Sequence, residues 1–294
     1  MRIKKKVIKM DKINNGIKFT FPVLLVMGAI LGYPLIYNFY LSFHETSMYS
    51  QDMTYVGLKN FIKIIKDPLF WYSMSRTIIW TLLSVLLQFL GGLIGALILN
   101  TRVKGHSFFR MLILLPWAIP AIASSLIWGW LLHMDFGIIN YLLKSIGFSP
   151  INWLGNPNIN LYSVIVVEAW AAIPFVIMLL LAGLQAIPLD LYEVAEINGA
   201  NSLQSFWYVT LPQLKGVIKV VLLLTIIWSL NSFTFVHVLT RGGPIHSTEI
   251  LPLYIYFEGF QYYRFGKSSA GAIILFGITL IIVFVCLKVF KSED

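Results

Sequence analysis

Six stretches of the chain, residues 19–43, 77–99, 108–132, 161–184, 217–239 and 269–287, are long and apolar enough to cross about 30 Å of hydrocarbon at about 1.5 Å per helical residue. No other feature narrows the fold as far. Lipid offers no hydrogen bonds, so a segment that crosses it has to satisfy its own backbone, and runs of this length do so as helices. The expected fold is an all-α integral membrane protein with six transmembrane helices. A chain of 294 residues that is 58% hydrophobic and 12% charged agrees, and excludes an ordinary soluble domain. Pro34, Pro116, Pro120 and Pro174 fall inside the runs and predict kinks rather than breaks, because neighbouring helices can satisfy the freed carbonyls.

Lysine and arginine gather on the cytoplasmic side of membrane proteins. Arg2, Lys4, Lys5, Lys6, Lys9, Lys12 and Lys18 precede the first run, Arg102, Lys104 and Arg110 lie between the second run and the first residues of the third, Lys215 and Lys219 at the end of the loop that leads into the fifth, and Lys288 and Lys291 follow the last. Lys59, Lys63, Lys66, Arg76, Lys144, Arg241, Arg264 and Lys267 lie on the other side, and this split of fourteen to eight places both termini inside. Residues 1–18 then read as a basic cytoplasmic N-terminus and 19–294 as the transmembrane domain. The first run is too long for a cleaved secretion signal, and no small-residue cleavage site follows it. The net charge of +9 comes from span-flanking residues that set topology and attract anionic lipid, so it implies no nucleic-acid partner. A single cysteine, Cys286, can form neither an intrachain disulfide nor a zinc site.

Between the fourth and fifth runs the chain reads DLYEVAEINGANSLQSFWYVTLP from Asp190 to Pro212, a polar and strongly punctuated segment. Asp190 with Glu193 three residues on fits a capping box that opens a short helix, and Gly199 fits a left-handed residue that closes it. Asn201 or Ser202 can cap a second short helix. Pro212 has no amide donor and is expected to stop helix at its own position. Residues 186–216 should therefore form a helix-turn-helix loop, on the cytoplasmic side by the charge count.

Glu193, Val194 and Ala195, then Gly199, then Leu211 and Pro212 stand at the spacing of a Glu-Ala-Ala, Gly, Leu-Pro signature, with Val194 in place of the first alanine. In this the segment resembles the coupling loop of permease subunits in binding-protein-dependent ABC importers. The stretches RTIIWTLLSVLLQFLGGLIGALILN, FFRMLILLPWAIPAIASSLIWGWL, FGIINYLL and NSFTFVHVLTRGGPIHSTEILPLYIYFEGF are similar to carbohydrate permeases of the maltose-permease-like group. The resemblance implies a non-catalytic permease that moves a sugar or oligosaccharide across the bacterial cytoplasmic membrane. It implies as partners a second, similar permease, ABC ATPase subunits that use ATP and Mg, and an extracytoplasmic solute-binding protein. Glu193 would then offer a charge-assisted contact to a basic residue of the ATPase, and Phe206 and Trp207 apolar area beside it.

Asn231, Ser232 and Thr234 lie in or near the fifth run with Trp228, Phe233 and Phe235 interleaved, the mixture of hydrogen-bonding groups and flat apolar surfaces that a sugar needs. Small polar residues at such depth also bridge helices. Glu168, with Trp170 two residues on, sits inside the fourth run, and Gln88 inside the second; intramembrane polar groups of this kind are candidates for the translocation path or for helix packing. Gly266, Lys267 and Ser268 look like the end of a phosphate-binding loop, but Gln261 stands where that motif needs glycine, so the chain is not expected to hydrolyse ATP. His44, His106, His133, His237 and His246 are scattered over different segments and imply no metal site. No cofactor is expected on the chain itself.

Two rivals carry different signatures. A secondary transporter would carry paired intramembrane carboxylates or an inverted repeat. An importer of glycerol phosphates would want basic residues in the path, and none lies mid-span.

Overall fold

A computed structural model describes residues 20–47, 50–101 and 106–291. The basic stretch assigned to residues 1–18 lies outside them, as do Arg102 and Lys104. The chain divides into two compact units, one of Met1–Lys66 with Ile255–Ile274 and one of Asp67–Tyr254 with Leu275–Asp294.

The first unit begins with α1 (Thr20–Ser42), which widens into a π-helical turn at Gly28–Gly32 just before Pro34. The all-α expectation needs one addition here. β1 (His44–Ser47) and β2 (Ser50–Tyr55) form an antiparallel hairpin in a segment whose Thr46, Thr54 and Tyr55 favour extended backbone. Helix α2 (Lys59–Ile65) holds this hairpin: Lys63 donates to Glu45 at 2.6 Å and Lys59 at 3.3 Å, and these two bonds keep the Glu45 carboxyl below the usual carboxylate range. Buried Asn60 ties α2 to the end of α1 by donating to the carbonyls of Ser42 and His44. In the same unit Glu258 is buried in a π-helical turn, Phe257–Gln261, and accepts from Lys267 at 2.9 Å.

The second unit is built on α3 (Pro68–Asn100), the bent pair α4 (His106–Ala118) and α5 (Ala121–Leu131), the short α6 (Ile138–Ser145) and α7 (Asn160–Gln185). There follow α8 (Leu189–Ile197), α9 (Ser202–Ser205), α10 (Leu211–Leu230) and α11 (Thr234–Leu239), while α12 (Leu251–Tyr256) and α13 (Phe265–Lys291) each contribute residues to both units. Among the described residues, five helices are long and apolar enough to cross a membrane, and the bent pair makes a sixth if counted as one span.

Helices α3 and α7 make the main packed pair. Their close approach depends on glycine: a Cβ on Gly91 would lie 2.7 Å from Ile173 Cδ1, and one on Gly92 or Gly95 would overlap Val176 or Ile177. Toward the far end of the pair, Leu180, Leu181 and Leu184 pack with Ala96 and Leu99 and with Leu214 and Val221 of α10. A second stripe on α3 is polar and buried, running through Ser73, Thr77, Thr81, Ser84 and Gln88 at helical spacing.

Proline behaves differently at each of its positions. Pro116 and Pro174 lie inside continuous helix, as expected. At Pro120 the expectation of a kink fails, because α4 and α5 are separated by a true break and meet at 99°. Pro120 is extended (ψ 138°), it disfavours helix at Ile119, and Pro116 one turn earlier has already removed a donor.

Candidate functional site

One candidate site is the helix pair α8–α9. Its first helix does not open with an Asp190–Glu193 capping box as expected. Pro188 is the N-cap, and Asp190 already lies within the first turn. The fixed φ of proline starts the helix earlier than a side-chain cap would, leaving Asp190 to face the positive end of the helix dipole. The turn follows expectation: Gly199 has φ +81°, its amide reaches Glu196 O at 2.9 Å, and the Ala200 amide reaches Ala195 O at 3.0 Å, which together close α8 with a Schellman motif. Asn201 then caps α9 through a reciprocal box with Gln204, with bonds of 2.9 and 2.8 Å.

Pro212 does not stop the helix. A π-helical turn, Phe206–Thr210, joins α9 to α10 and makes one helix from Ser202 onward. In an α-helix the Pro212 ring would collide with the carbonyl one turn back, and the wider turn makes room for it. Leu211 and Pro212 therefore open α10. Tyr192 Oη and Thr210 Oγ1, 3.0 Å apart, hold α8 against this turn.

With its polar backbone thus satisfied, the pair leaves much apolar surface in the open. Ile197 is 85% exposed and Tyr208 80%, with Leu189, Val194, Leu203 and Trp207 also exposed, while Ala195 and Phe206 are half-buried. Asp190, Glu193 and Glu196 are the charged residues of 186–214, and that segment holds no lysine or arginine in a chain of net charge +9. An exposed apolar surface with a fringe of carboxylates is a candidate contact surface.

The predicted path residues separate into two places. Gln88 and Glu168 meet inside the α3–α7 pair, where Gln88 Nε2 donates to both Glu168 carboxylate oxygens at 3.0 and 2.9 Å; both residues are buried. Trp170 lies near them on α7, edge-on to Trp128 of α5.

Trp228, Asn231, Ser232, Thr234 and Phe235 lie at a second break, between α10 and α11. Asn231 caps α10, is exposed, and donates to Ile227 O at 2.8 Å, which leaves its amide oxygen outside that bond. Beyond the break α11 packs on α5, so the two interrupted helices of this unit lie together. Aromatic rings join them: Phe175 of α7 lies 5.9 Å from Trp117, just before the first break, and 4.8 Å from Trp228, just before the second. Trp117 is 56% exposed and Trp228 48%, so the three rings form a shelf open on one side. Irregular backbone at membrane depth is tolerated where it is buried in protein or lines a water-filled cavity, and paired breaks are a common way to build a binding site there. Trp117 and Phe175 were missed from the sequence because aromatic residues in apolar runs look like packing. Their signal was position, each beside a proline inside a span.

Comparison with known proteins agrees with this architecture. Residues 88–291 match the family described as "Binding-protein-dependent transport system inner membrane component". The trehalose/maltose transport system permease protein MalF of Thermococcus litoralis is 37% identical over 285 residues, covering 96% of this chain and 95% of the relative. The diacetylchitobiose uptake system permease protein DasB of Streptomyces coelicolor is 33% identical over 290 residues, covering 93% and 88%. Among solved structures, a chain of a bacterial ABC transporter involved in the import of the acidic polysaccharide alginate superposes with a TM-score of 0.83 at 22% identity, covering 99% of each chain. The chain is a multi-pass membrane protein and belongs to the family of inner membrane components of binding-protein-dependent transport systems.

Proposed function

We propose that this chain is one of two unlike permeases of an ATP-driven importer, and that it passes a neutral sugar or oligosaccharide across the cytoplasmic membrane. The aromatic shelf of Trp117, Phe175 and Trp228 at the two helix breaks carries this reading. Pyranose rings present flat C–H faces that stack on indole and phenyl rings, and the Asn231 amide with the Ser232 and Thr234 hydroxyls supplies hydrogen-bond partners at the edge. No lysine or arginine belongs to this set, which favours a neutral substrate over a glycerol phosphate. The two relatives named for trehalose/maltose and for diacetylchitobiose support the substrate class.

In this reading the α8–α9 pair is cytoplasmic and docks on an ABC ATPase, which binds ATP and Mg. Both chain termini lie on that side. Closure of the ATPase pair carries α8 and α9 with it, and the broken spans rock to face outward and receive substrate from a solute-binding protein. Glu193 and its neighbouring carboxylates meet basic residues of the ATPase, while Trp207 and Tyr208 fill an apolar hollow. The chain transmits the movement and performs no bond chemistry.

The test is the shelf. Trp228→Ala should raise the substrate concentration for half-maximal transport on the order of tenfold, the equivalent of about 1.4 kcal/mol of lost stacking. Trp228→Phe should recover most of it. Transport unchanged in Trp228→Ala, in a transporter that assembles normally, would remove the shelf from the path.

A further inference from the structure

A cavity of about 720 Å³ lies at the end of the second unit opposite α8–α9, between α5, α6 and the first turns of α7. Its walls are Trp128 of α5 and Leu132 at its end, Ile139 of α6, Trp153 of the following loop, and Tyr162, Ser163 and Val166 of α7. The cavity is built rather than left over. Asn140, buried in the underside of α6, donates to the carbonyls of Met134 and Ile151, and its Oδ1 accepts from the Ile151 amide at 3.0 Å and from Trp153 Nε1 at 3.1 Å. That one side chain fixes α6 as a roof and Trp153 as a wall.

We propose that this cavity holds an acyl chain of a bilayer phospholipid. Three observations say what covers it. First, its lining is almost wholly carbon, so a sugar would leave hydroxyls without partners there, whereas a hydrocarbon chain loses nothing by leaving its neighbours in the bilayer. Second, the outside of the roof is apolar: Phe136, Tyr141, Leu142 and Ile146, on α6 and its flanks, are all exposed, and α6 is a short amphipathic helix of the kind that lies in a membrane interface. Third, its level is right. Helix α7 has 26 residues, about 39 Å of rise against a hydrocarbon core of roughly 30 Å, so with the excess shared between its ends the lining residues Ser163, Val166 and Val167 lie at the outer margin of the hydrocarbon, within reach of an acyl chain.

Charge supplies the headgroup contact. Lys144, in the last turn of α6, is the one lysine or arginine between Arg110 and Lys215, is exposed, and makes no ion pair among the described residues. An anionic phosphate beside Lys144 with one chain threaded under α6 completes the arrangement. The lipid would brace α6 against α7 at the outer edge of the bundle.

Two measurements on the assembled transporter, purified with its coexpressed partners, test this. In native mass spectrometry after extraction in mild detergent, the wild type should retain phospholipid that Ser163→Phe, which fills the cavity from α7, has lost, and Lys144→Gln should lower retention of phosphatidylglycerol more than of phosphatidylethanolamine. Independently of any variant at Ser163, wild-type transporter in phosphatidylglycerol vesicles brominated at mid-chain should lose a larger fraction of its tryptophan fluorescence than Trp153→Phe. Equal lipid retention in wild type and Ser163→Phe, equal fractional quenching in wild type and Trp153→Phe, or crosslinking from position 153 to a partner polypeptide in place of lipid would each overturn the proposal.

Discussion

Glu168 and Asn231 are both polar residues inside apolar runs, yet the fold gives them opposite surroundings. Glu168 is closed between two helices and taken up by Gln88, whereas Asn231 stands in the open at the end of a helix. A carboxyl group held in this way ties α3 to α7, which favours a packing role over a path role for Glu168. Glu168→Ala should therefore leave the Gln88 amide as a buried donor without its partner and lower stability by about 1–3 kcal/mol. The melting temperature of the purified transporter should fall while the substrate concentration for half-maximal transport stays constant. A changed substrate affinity at unchanged melting temperature would instead return Glu168 to the path. The sequence marked both residues as unusual, but depth and facing depend on which helices pack together, and an apolar run carries no record of that.

At the scale of elements, the turn at Gly199 and Asn201 was legible, the cap of α8 was not, and proline followed expectation only at some positions. Gly199 and Asn201 adopt the conformations their residue types favour, because a left-handed turn and a side-chain cap are decided within a few residues. Pro120 and Pro212 went the other way from expectation: one broke a helix expected to bend, and one was absorbed by a helix expected to stop. What decides such cases is whether the neighbouring turn can widen or the freed carbonyls find other partners, and both are tertiary matters. The five long spans were legible for the simpler reason that hydrophobic length is local. Gly199→Val should be harsher than Glu193→Ala, since a β-branched residue at φ +81° is strongly disfavoured and would re-aim α9. The expected outcome is loss of most ATPase copurification for Gly199→Val and partial loss for Glu193→Ala, with both variants inserted in the membrane at wild-type levels. Full ATPase recovery and full transport in both would leave α8–α9 as a hairpin without a partner.

For the molecule as a whole, α1 is a span with only Ser42, at its end, buried within the chain, and the α8–α9 surface is apolar and exposed. A chain with so much uncovered surface is a component, and coexpression with its neighbours should yield a complex containing a different permease and an ATPase. Its mass in detergent is the measurement, and a homodimer that transports without any ATPase would contradict the proposal. The π-helical turn gives that assembly a mechanical property. Because it carries the helix through Pro212, residues 202–230 form one stiff rod of about 43 Å, with Trp207 near one end and Trp228 near the other. A tilt of about 5° imposed at the first end swings the second by about 4 Å, roughly the thickness of an aromatic ring. The gearing between nucleotide and sugar is then a matter of leverage along a single shaft, and its ratio is set by where a proline was permitted to sit.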